Sequence, residues 1–504
     1  MLDLLSSNAF VAGLVAWIAY LVTGGIYRLY FHPLANFPGP KIAALTGWYE
    51  CYHDLFRHGM LIWKLQELHD QYGPIIRINP YELHIRDSEY YDELYAPAAK
   101  RKDKYAGWVV LAGTPLASFA TVPHNLHRIR RAALNPFFSK RSISKVEPLI
   151  MDKVQRLCAR FDEEIKNKRP IRLDAAYMAL TMDITTEYAY GESYDYLSED
   201  DYKLQWKEII VGGVANGVML RQFPWALPIL NAIPLPILHK LDPHAAALME
   251  WGLVVKKKVE EMMERHRSGK KKEGTVFSTI LDSDLPEAEK TAERLKDEGQ
   301  SLVGAGSETT ARSLSLVTFY LLRDKSILRR LRGELRTVDI DDPTDLLSRL
   351  EKLPYLTAIV QEGIRLNHGV TTRLPRISHE PIRYKDWEIP AGTPVSESNY
   401  FVHMDEEIFP EPREFKPERW IKAQEDGFRL DRYLVSFSKG SRQCVGIKYV
   451  PHPNYLATQV ANIPFEMENY ETTLDDVEVA RDFFVGVPKL DSKGIRGVIT
   501  GRAE

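Results

Sequence analysis

The 504 residues include only three cysteines, Cys51, Cys158 and Cys444. They are odd in number and far apart, with no CxxC pair. That argues against a disulfide framework and a cysteine-rich zinc site, and makes a reducing compartment the default. Neither charge sign is in excess, with 66 Lys plus Arg against 69 Asp plus Glu. A dedicated nucleic-acid binder carries a basic excess on one face, so that class is disfavoured. There is no internal repeat. No GxGxxG follows a strand, and there is no room for a flavin domain, so any electrons come from outside the chain.

What is present begins at the N-terminus. Ala9 to Phe31 reads AFVAGLVAWIAYLVTGGIYRLYF, almost uncharged up to Arg28. At about 1.5 Å per residue it spans a bilayer core of roughly 30 Å. A cleaved signal peptide is the competing reading. The run is long for one, and no A-x-A-like site follows. Arg28 and Lys41 follow the run and Asp3 precedes it, which orients the bulk of the chain to the cytosol. His32-Pro33 and Phe37-Pro38-Gly39-Pro40 form a stiff connector, since proline fixes φ. The expected division is 1–31 anchor, 32–41 connector and 42–504 globular domain.

Length alone suggests about three domains. Most of the chain has helical texture: Pro354 opens PYLTAIVQEGIRL, where Leu356, Ile359, Val360 and Ile364 recur at helical spacing. Ser268 to Glu273 (SGKKKE) reads as a solvated loop. Strand-like pieces fall at Pro74 to Asn79 and Ile382 to Ile389. Phe223 to Leu241, apolar and proline-rich, is either a buried loop or one that dips into a membrane. The fold class expected is mainly α with a minor β part.

The chemistry centres on Cys444. Around it stand Phe437, Gly440, Arg442 and Gly446, in the spacing FxxGxRxCxG. A thiolate ligand needs backbone N–H donors and positive surroundings. Glycines let the backbone curl close to a flat cofactor, Arg442 can pair with its acid groups, and Phe437 can pack on it. Cys51 and Cys158 read as ordinary small buried hydrophobes. Phe437 to Gly446 resembles the haem-binding loop of the cytochrome P-450 family, and the other motifs agree in order. The resemblance implies one triangular, mainly helical haem domain behind a transmembrane helix, with Cys444 as the axial thiolate ligand of haem b.

Further motifs take their meaning from that resemblance. Ala305-Gly306-Ser307-Glu308-Thr309-Thr310 lies in a long apolar segment. Buried hydroxyls and glycine distort a helical ladder and open a groove. The match is to the oxygen-activation motif, with Thr309 as hydrogen-bond donor and Glu308 as proton relay. Glu362 and Arg365 share a helical face at i,i+3, and with Arg419 of Pro417-Glu-Arg419-Trp420 they resemble the fold-locking triad. His127 stands where the family often has tryptophan, four residues before Arg131. His127, Arg131, Arg373 and Arg442 are the propionate candidates. Arg128, Arg130, Lys140, Lys439 and Lys448 form either a docking face for an acidic donor or a merely solvated surface. Trp108, Leu111, Leu302, Val370, Thr371 and Phe484 are candidate pocket walls by position.

The sequence departs from the pattern after Cys444. The family runs into an apolar helix there, whose amides and dipole help hold the thiolate. Here Lys448 to Asn454 reads KYVPHPN, and Pro451 and Pro453 end a helix near Val450. Family-like text returns at Phe465. Either this is a genuine local variation, or Lys448–Pro464 is misread from the gene through a wrong splice choice. The abrupt loss and return favours the second. The function implied is a monooxygenase acting on an apolar small molecule with O2. Its electrons come from NADPH through NADPH–cytochrome P-450 reductase, on the endoplasmic reticulum membrane. The chain looks most like fungal members of terpenoid or polyketide secondary metabolism. A reductase-independent isomerase or dehydratase, and a haem-poor inactive homologue, are the alternatives.

Overall fold

The structure is a computed structural model, described over residues 2–95, 101–139, 141–142, 145–167, 169–270, 274–339, 342, 346–448 and 465–502. Nearly all of the proline-bearing stretch after Cys444, residues 449–464, lies outside the described residues.

The N-terminal helix α1 (Leu2–Ile26) continues as a wider turn to Phe31. From Phe10 to Phe31 it is apolar enough to cross a membrane, and it buries nothing against the body. The segment that follows is not a free spacer. Leu34 and Phe37 are buried in the body's core, and Phe37 stacks on Trp387 at 4.9 Å. Arg77 donates to the carbonyls of Arg28 (2.8 Å) and Pro80 (2.7 Å), fixing the foot of the anchor.

The body is mainly helical. The helices that build the site are α2 (His124–Leu134), α3 (Leu173–Tyr190), α4 (Leu204–Gln222), α5 (Ala226–Ala232), α6 (Leu235–Leu241), α7 (Pro243–Arg267), α8 (Ala292–Arg323), α9 (Pro354–Asn367) and α10 (Glu418–Glu425). Their ends follow local chemistry. Asp242 caps α7 ahead of Pro243, and Thr291 caps α8 by accepting from the Arg294 amide. Gly191, at φ 79°, stops α3 in the left-handed region. Helix α8 runs through the largest core cluster, packed on α3, α7 and α9.

Two small sheets matter for the site. In the first, β1 (Ile75–Arg77), β2 (Leu83–Ile85), β3 (Lys102–Lys104), β4 (Arg376–Ser378) and β5 (Pro394–Ser396) lie in the order β1-β2-β5-β4-β3. Only β2 and β5 run parallel. The second is a hairpin of β6 (Arg481–Phe483) and β7 (Val485–Val487), with Phe484 at its tip. The strand expected at Ile382–Ile389 is a separate hairpin, and the one at Pro74–Asn79 is β1. Phe223 to Leu241 is not a buried loop. It forms α5 and α6, with Trp225, Ile229, Ile237 and Leu241 exposed.

Candidate active site

The Cys444 loop is a tight turn. The Cys444 amide donates to the Phe437 carbonyl (2.9 Å), and the Gln443 amide donates to that of Gly440 (3.0 Å). Gly440 sits at φ 70°, where a side chain would be strained. Phe437 and Val445 pack against the main core. Arg131, on α2, donates to the Gln443 carbonyl at 2.8 Å and so holds the loop. Burial pushes the Cys444 thiol up, while the amides of Gly446 and Ile447 and the Arg131 guanidinium pull it down. Cys444 is nonetheless exposed, sulfur and backbone taken together. A Cβ on Gly446 would stand 3.7 Å from that sulfur.

A set of buried cations lies near this loop. Lys104 on β3 and Arg376 on β4 are direct cross-strand partners. Like charges opposite one another destabilise a sheet. Lys104, Arg376 and Arg442 donate to backbone carbonyls. Arg442 donates to those of Thr121 (2.6 Å) and Val122 (2.7 Å), and Arg376 to that of Pro375 (3.1 Å). The Arg442 Nε and the His127 Nδ1 are buried without partners. Burial, then Arg376, holds Arg442 down at about 9. Burial, then Arg376 and Arg442, holds Lys104 well below its usual value. Burial, then Arg442, holds His127 down at about 2, so its ring is neutral and one N–H is available to donate. Among the described residues none of the three is paired with a carboxylate, so this donor set calls for anionic groups from elsewhere. It fits a flat iron cofactor with carboxylate arms.

Helix α8 presents Ala305, which is exposed, and Thr309 along one face, i and i+4. The Thr309 hydroxyl donates to the Ala305 carbonyl at 2.8 Å, and Asn367 donates to the Thr309 carbonyl at 3.2 Å. The expected break in the ladder is absent, for α8 is continuous. Its buried hydroxyls bond back to carbonyls one turn earlier, as Ser315 does to Ala311 at 2.7 Å. Glu308 points elsewhere. Its Oε2 lies 3.7 Å from Lys207, which lies equally far from Asp174, itself paired with Arg172.

Glu362 and Arg365 are fully buried. Arg365 binds Glu362 through Nε (2.9 Å) and Nη2 (2.8 Å), and its Nη1 reaches the carbonyls of His403 and Pro412. Arg419 Nε donates to Glu362 at 3.1 Å and Trp420 Nε1 at 2.9 Å. Together these bonds tie α9 to α10 and the loop between.

Several expectations need correction. Arg373, expected among the propionate residues, has carboxylate partners of its own. It is buried against Glu50 (2.7 Å) and Glu82 (3.2 Å), so its charge is already matched. Arg376, three residues on, stands across from Lys104 instead. Gly306 faces α3, where a Cβ would meet Thr185 at 3.3 Å, and not the interior space. Thr371 is fully buried and donates to Asp482 at 2.7 Å, so its hydroxyl is not on a pocket wall. Trp108 is fully buried behind Phe484 and Phe119, with ring centroids 6.0 Å from each. Val370 pairs with Val485 beside them, and Leu111 belongs to the same cluster, whereas Leu302 packs in the larger core. The basic face does not hold together. Arg130 is buried on Glu289, Lys439 is bound to Asp92, and only Arg128 is exposed. The side chains of Lys140 and Lys448 lie outside the described residues.

Sequence reasoning missed Arg376, Lys104, Lys207, Asp174 and Phe119. The one legible hint was the cationic alternation of Lys102-Asp103-Lys104, which means nothing until β4 lies beside it.

A mainly helical body carrying one cysteine in a turn of amides, beside cations without counter-charges, defines a haem-binding class of protein. The cytochrome P-450 family model matches residues 45–448, ending where the proline-bearing stretch begins. The chain is similar to the conidiogenone synthase of Penicillium rubens, 42% identical over 491 residues (97% of this chain, 96% of that one). It is also similar to the tryptophan 6-hydroxylase fscE of Fusarium equiseti, 40% identical over 476 residues (94% and 93%). A third relative is the cytochrome P-450 monooxygenase TRI4 of Trichoderma arundinaceum, 39% identical over 485 residues (96% and 94%). The chain belongs to the cytochrome P-450 family, is an oxygenase, and by family takes haem with a cysteine thiolate ligand.

Proposed function

We propose that this protein is a membrane-anchored monooxygenase that inserts one oxygen atom of O2 into an apolar small molecule, with Cys444 as the haem ligand. The observation that carries the reading is the pairing of an exposed Cys444, its sulfur met by the Gly446 and Ile447 amides, with the cations Lys104, Arg376 and Arg442, whose bonds go to backbone carbonyls. Haem, when bound, would supply the iron at which dioxygen is activated, and Cys444 the thiolate that favours O–O cleavage. The chain's own residues do the rest. Arg442, Arg376, Lys104 and neutral His127 hold the two carboxylate arms, and Arg131 holds the cysteine loop. Thr309 can turn its proton from the Ala305 carbonyl toward the interior space. Glu308 receives protons through the Lys207–Asp174 pair, of which Lys207 is partly exposed. Phe484, Phe119 and Val370 form an apolar wall, suited to a greasy substrate. One relative's name, tryptophan 6-hydroxylase, points to an aromatic molecule. A polycyclic terpenoid or polyketide of secondary metabolism is the substrate class we favour.

Residues 1–31 serve as the anchor and the body as one haem domain facing the cytosol, at the endoplasmic reticulum. NADPH–cytochrome P-450 reductase is the electron donor, a reading supported by the lack of a GxGxxG after a strand in the sequence. The reduced, carbon-monoxide-bound spectrum of the purified protein tests the reading. A strongly red-shifted band supports it. An unshifted band, or none, refutes it in favour of a haem-poor homologue disabled behind Cys444.

A further inference from the structure

Three elements around the candidate substrate space end at one buried cluster of charges, separate from the cations beside Cys444. They are the C-terminal end of α4, the extended segment Thr371 to Arg373, and the β6–β7 hairpin. All three meet the stretch Trp48 to Gly59, helical as far as Phe56, which follows the anchor. Arg221 of α4 donates to Asp54, lies 3.3 Å from Glu50, and reaches the Thr372 hydroxyl at 3.3 Å. Gln222 donates to Glu50 and Asp54, each at 3.1 Å. Arg373 binds the same Glu50 and also Glu82, and the Asn79 amide bridges those two carboxylates at 2.8 and 2.7 Å. The Asp482 amide donates to the Gly59 carbonyl at 2.9 Å, and its carboxyl accepts from Thr371.

The sequence Trp48-Tyr-Glu50-Cys-Tyr52-His-Asp54-Leu-Phe56 explains why one short stretch serves both sides. Glu50 and Asp54, four apart, face inward. Trp48, Tyr52 and Phe56, at i, i+4 and i+8, are 60%, 48% and 64% exposed. Trp48 meets Phe223 at 5.9 Å, and Phe223 meets exposed Trp225 at 5.8 Å. The outer apolar face of the stretch therefore runs into the exposed faces of α5 and α6. Nearer its middle, α4 lies so close to the wall that a Cβ on Gly217 would meet the Leu111 carbonyl at 2.4 Å. Buried ion pairs of this kind add little net stability but hold one arrangement sharply, because separating them strands a charge.

We propose that Arg221, with Asp54 and Glu50, is the closure latch of the substrate space. It positions the end of α4 over the walls at the lipid-facing side, and its separation limits the entry and exit of apolar molecules. The latch rests on the reading of that space as a substrate site, and on nothing about the reaction itself. Arg221 is a positioning residue, acting through α4 and Thr372.

The test uses the full chain with haem in phospholipid vesicles, in two independent readouts. Hydrogen–deuterium exchange reports opening of residues 216–223, and stopped-flow mixing with clotrimazole, a bulky apolar azole, reports ligand exchange. In Arg221→Met, exchange at 216–223 rises roughly 100-fold, as loss of one partner from a buried pair requires. Clotrimazole binds and leaves about tenfold faster, with its equilibrium affinity and the carbon monoxide spectrum little changed. Unchanged hydrogen exchange overturns the latch. Faster hydrogen exchange with unchanged clotrimazole kinetics overturns its role in admission. Should Arg221→Met not accumulate, Gln222→Ala carries the test, with an increase of about fivefold for two lost amide bonds. A wild-type spectrum without a thiolate band sinks the reading of the site, while the hydrogen-exchange arm still decides the latch.

Discussion

Replacing Glu362 by glutamine keeps the shape of the side chain and removes its charge. In the structure the carboxylate accepts from Arg365 twice, from Arg419, from Trp420 and from the Lys416 amide. A glutamine amide has one oxygen, so its NH2 must face at least two of those donors. Two guanidinium groups also lose their counter-charge, one of them fully buried. Breaking a buried pair in this way costs about 3–5 kcal/mol, against a whole stability of roughly 5–15 kcal/mol. The loss falls on the joint between α9 and α10, which the cysteine loop follows. Urea unfolding of Glu362→Gln should therefore show that loss, and purified protein should carry well under one haem per chain. The effect has a pH signature. Burial alone raises the Glu362 carboxyl, but Arg365 and then Arg419 hold it below its ordinary value. A lowered carboxyl contributes stability above its unfolded value, near about 4.3, and loses it as pH falls through the folded one. The difference between wild type and variant should then shrink in acid. A loss below about 1 kcal/mol at pH 7, with normal haem content, would refute the reasoning.

Arg376→Gln should act in opposite directions on the two forms of the protein. Without haem it removes repulsion with Lys104 and raises the melting temperature. With haem it removes a charged donor, and haem transfer to apomyoglobin should quicken roughly 10–100-fold. Equal effects on both forms would sink the assignment. Burial holds His69 down at about 4, and holds His84, His368 and His403 well below the usual imidazole value. The unfolded chain takes up those protons and the native one does not, so stability falls as pH drops below about 6.5. A melting temperature at pH 5.5 equal to that at pH 7.5 would count against it. Asp482 runs the other way, for burial raises its carboxyl to about 6. Asp482→Asn should stabilise the protein more at pH 8 than at pH 5, and a pH-independent effect would refute the burial argument. Phe484, at φ 81° on its hairpin tip, should lose less stability on replacement by glycine than by alanine, since both strip its packing on Trp108 and Phe119 and only glycine relieves the backbone. Equal losses for the two would show the backbone is not strained.

Local pattern in the sequence was enough for the anchor helix, the helix opened by Pro354, the cysteine turn and the Glu362–Arg365 pair. Each depends on spacing along the chain, which a single sequence displays in full. The two short helices within Phe223 to Leu241 were not legible, because proline at a helix start and proline in a loop read alike. The same limit separates Arg373 from Arg376. Both are arginines in an extended stretch, and only the neighbours differ. Glu50 and Glu82, from distant parts of the chain, neutralise the first, while Lys104 on the adjacent strand leaves the second without counter-charge. Glu308 and Thr309 are adjacent in sequence, yet the helix turns one toward Lys207 and the other toward the interior space. The sequence by itself determined the class of protein and the position of its cysteine, since those rest on residues close together in the chain. Only the tertiary structure decided which charges are satisfied and which await a ligand, because a charge's partner is set by what folds against it.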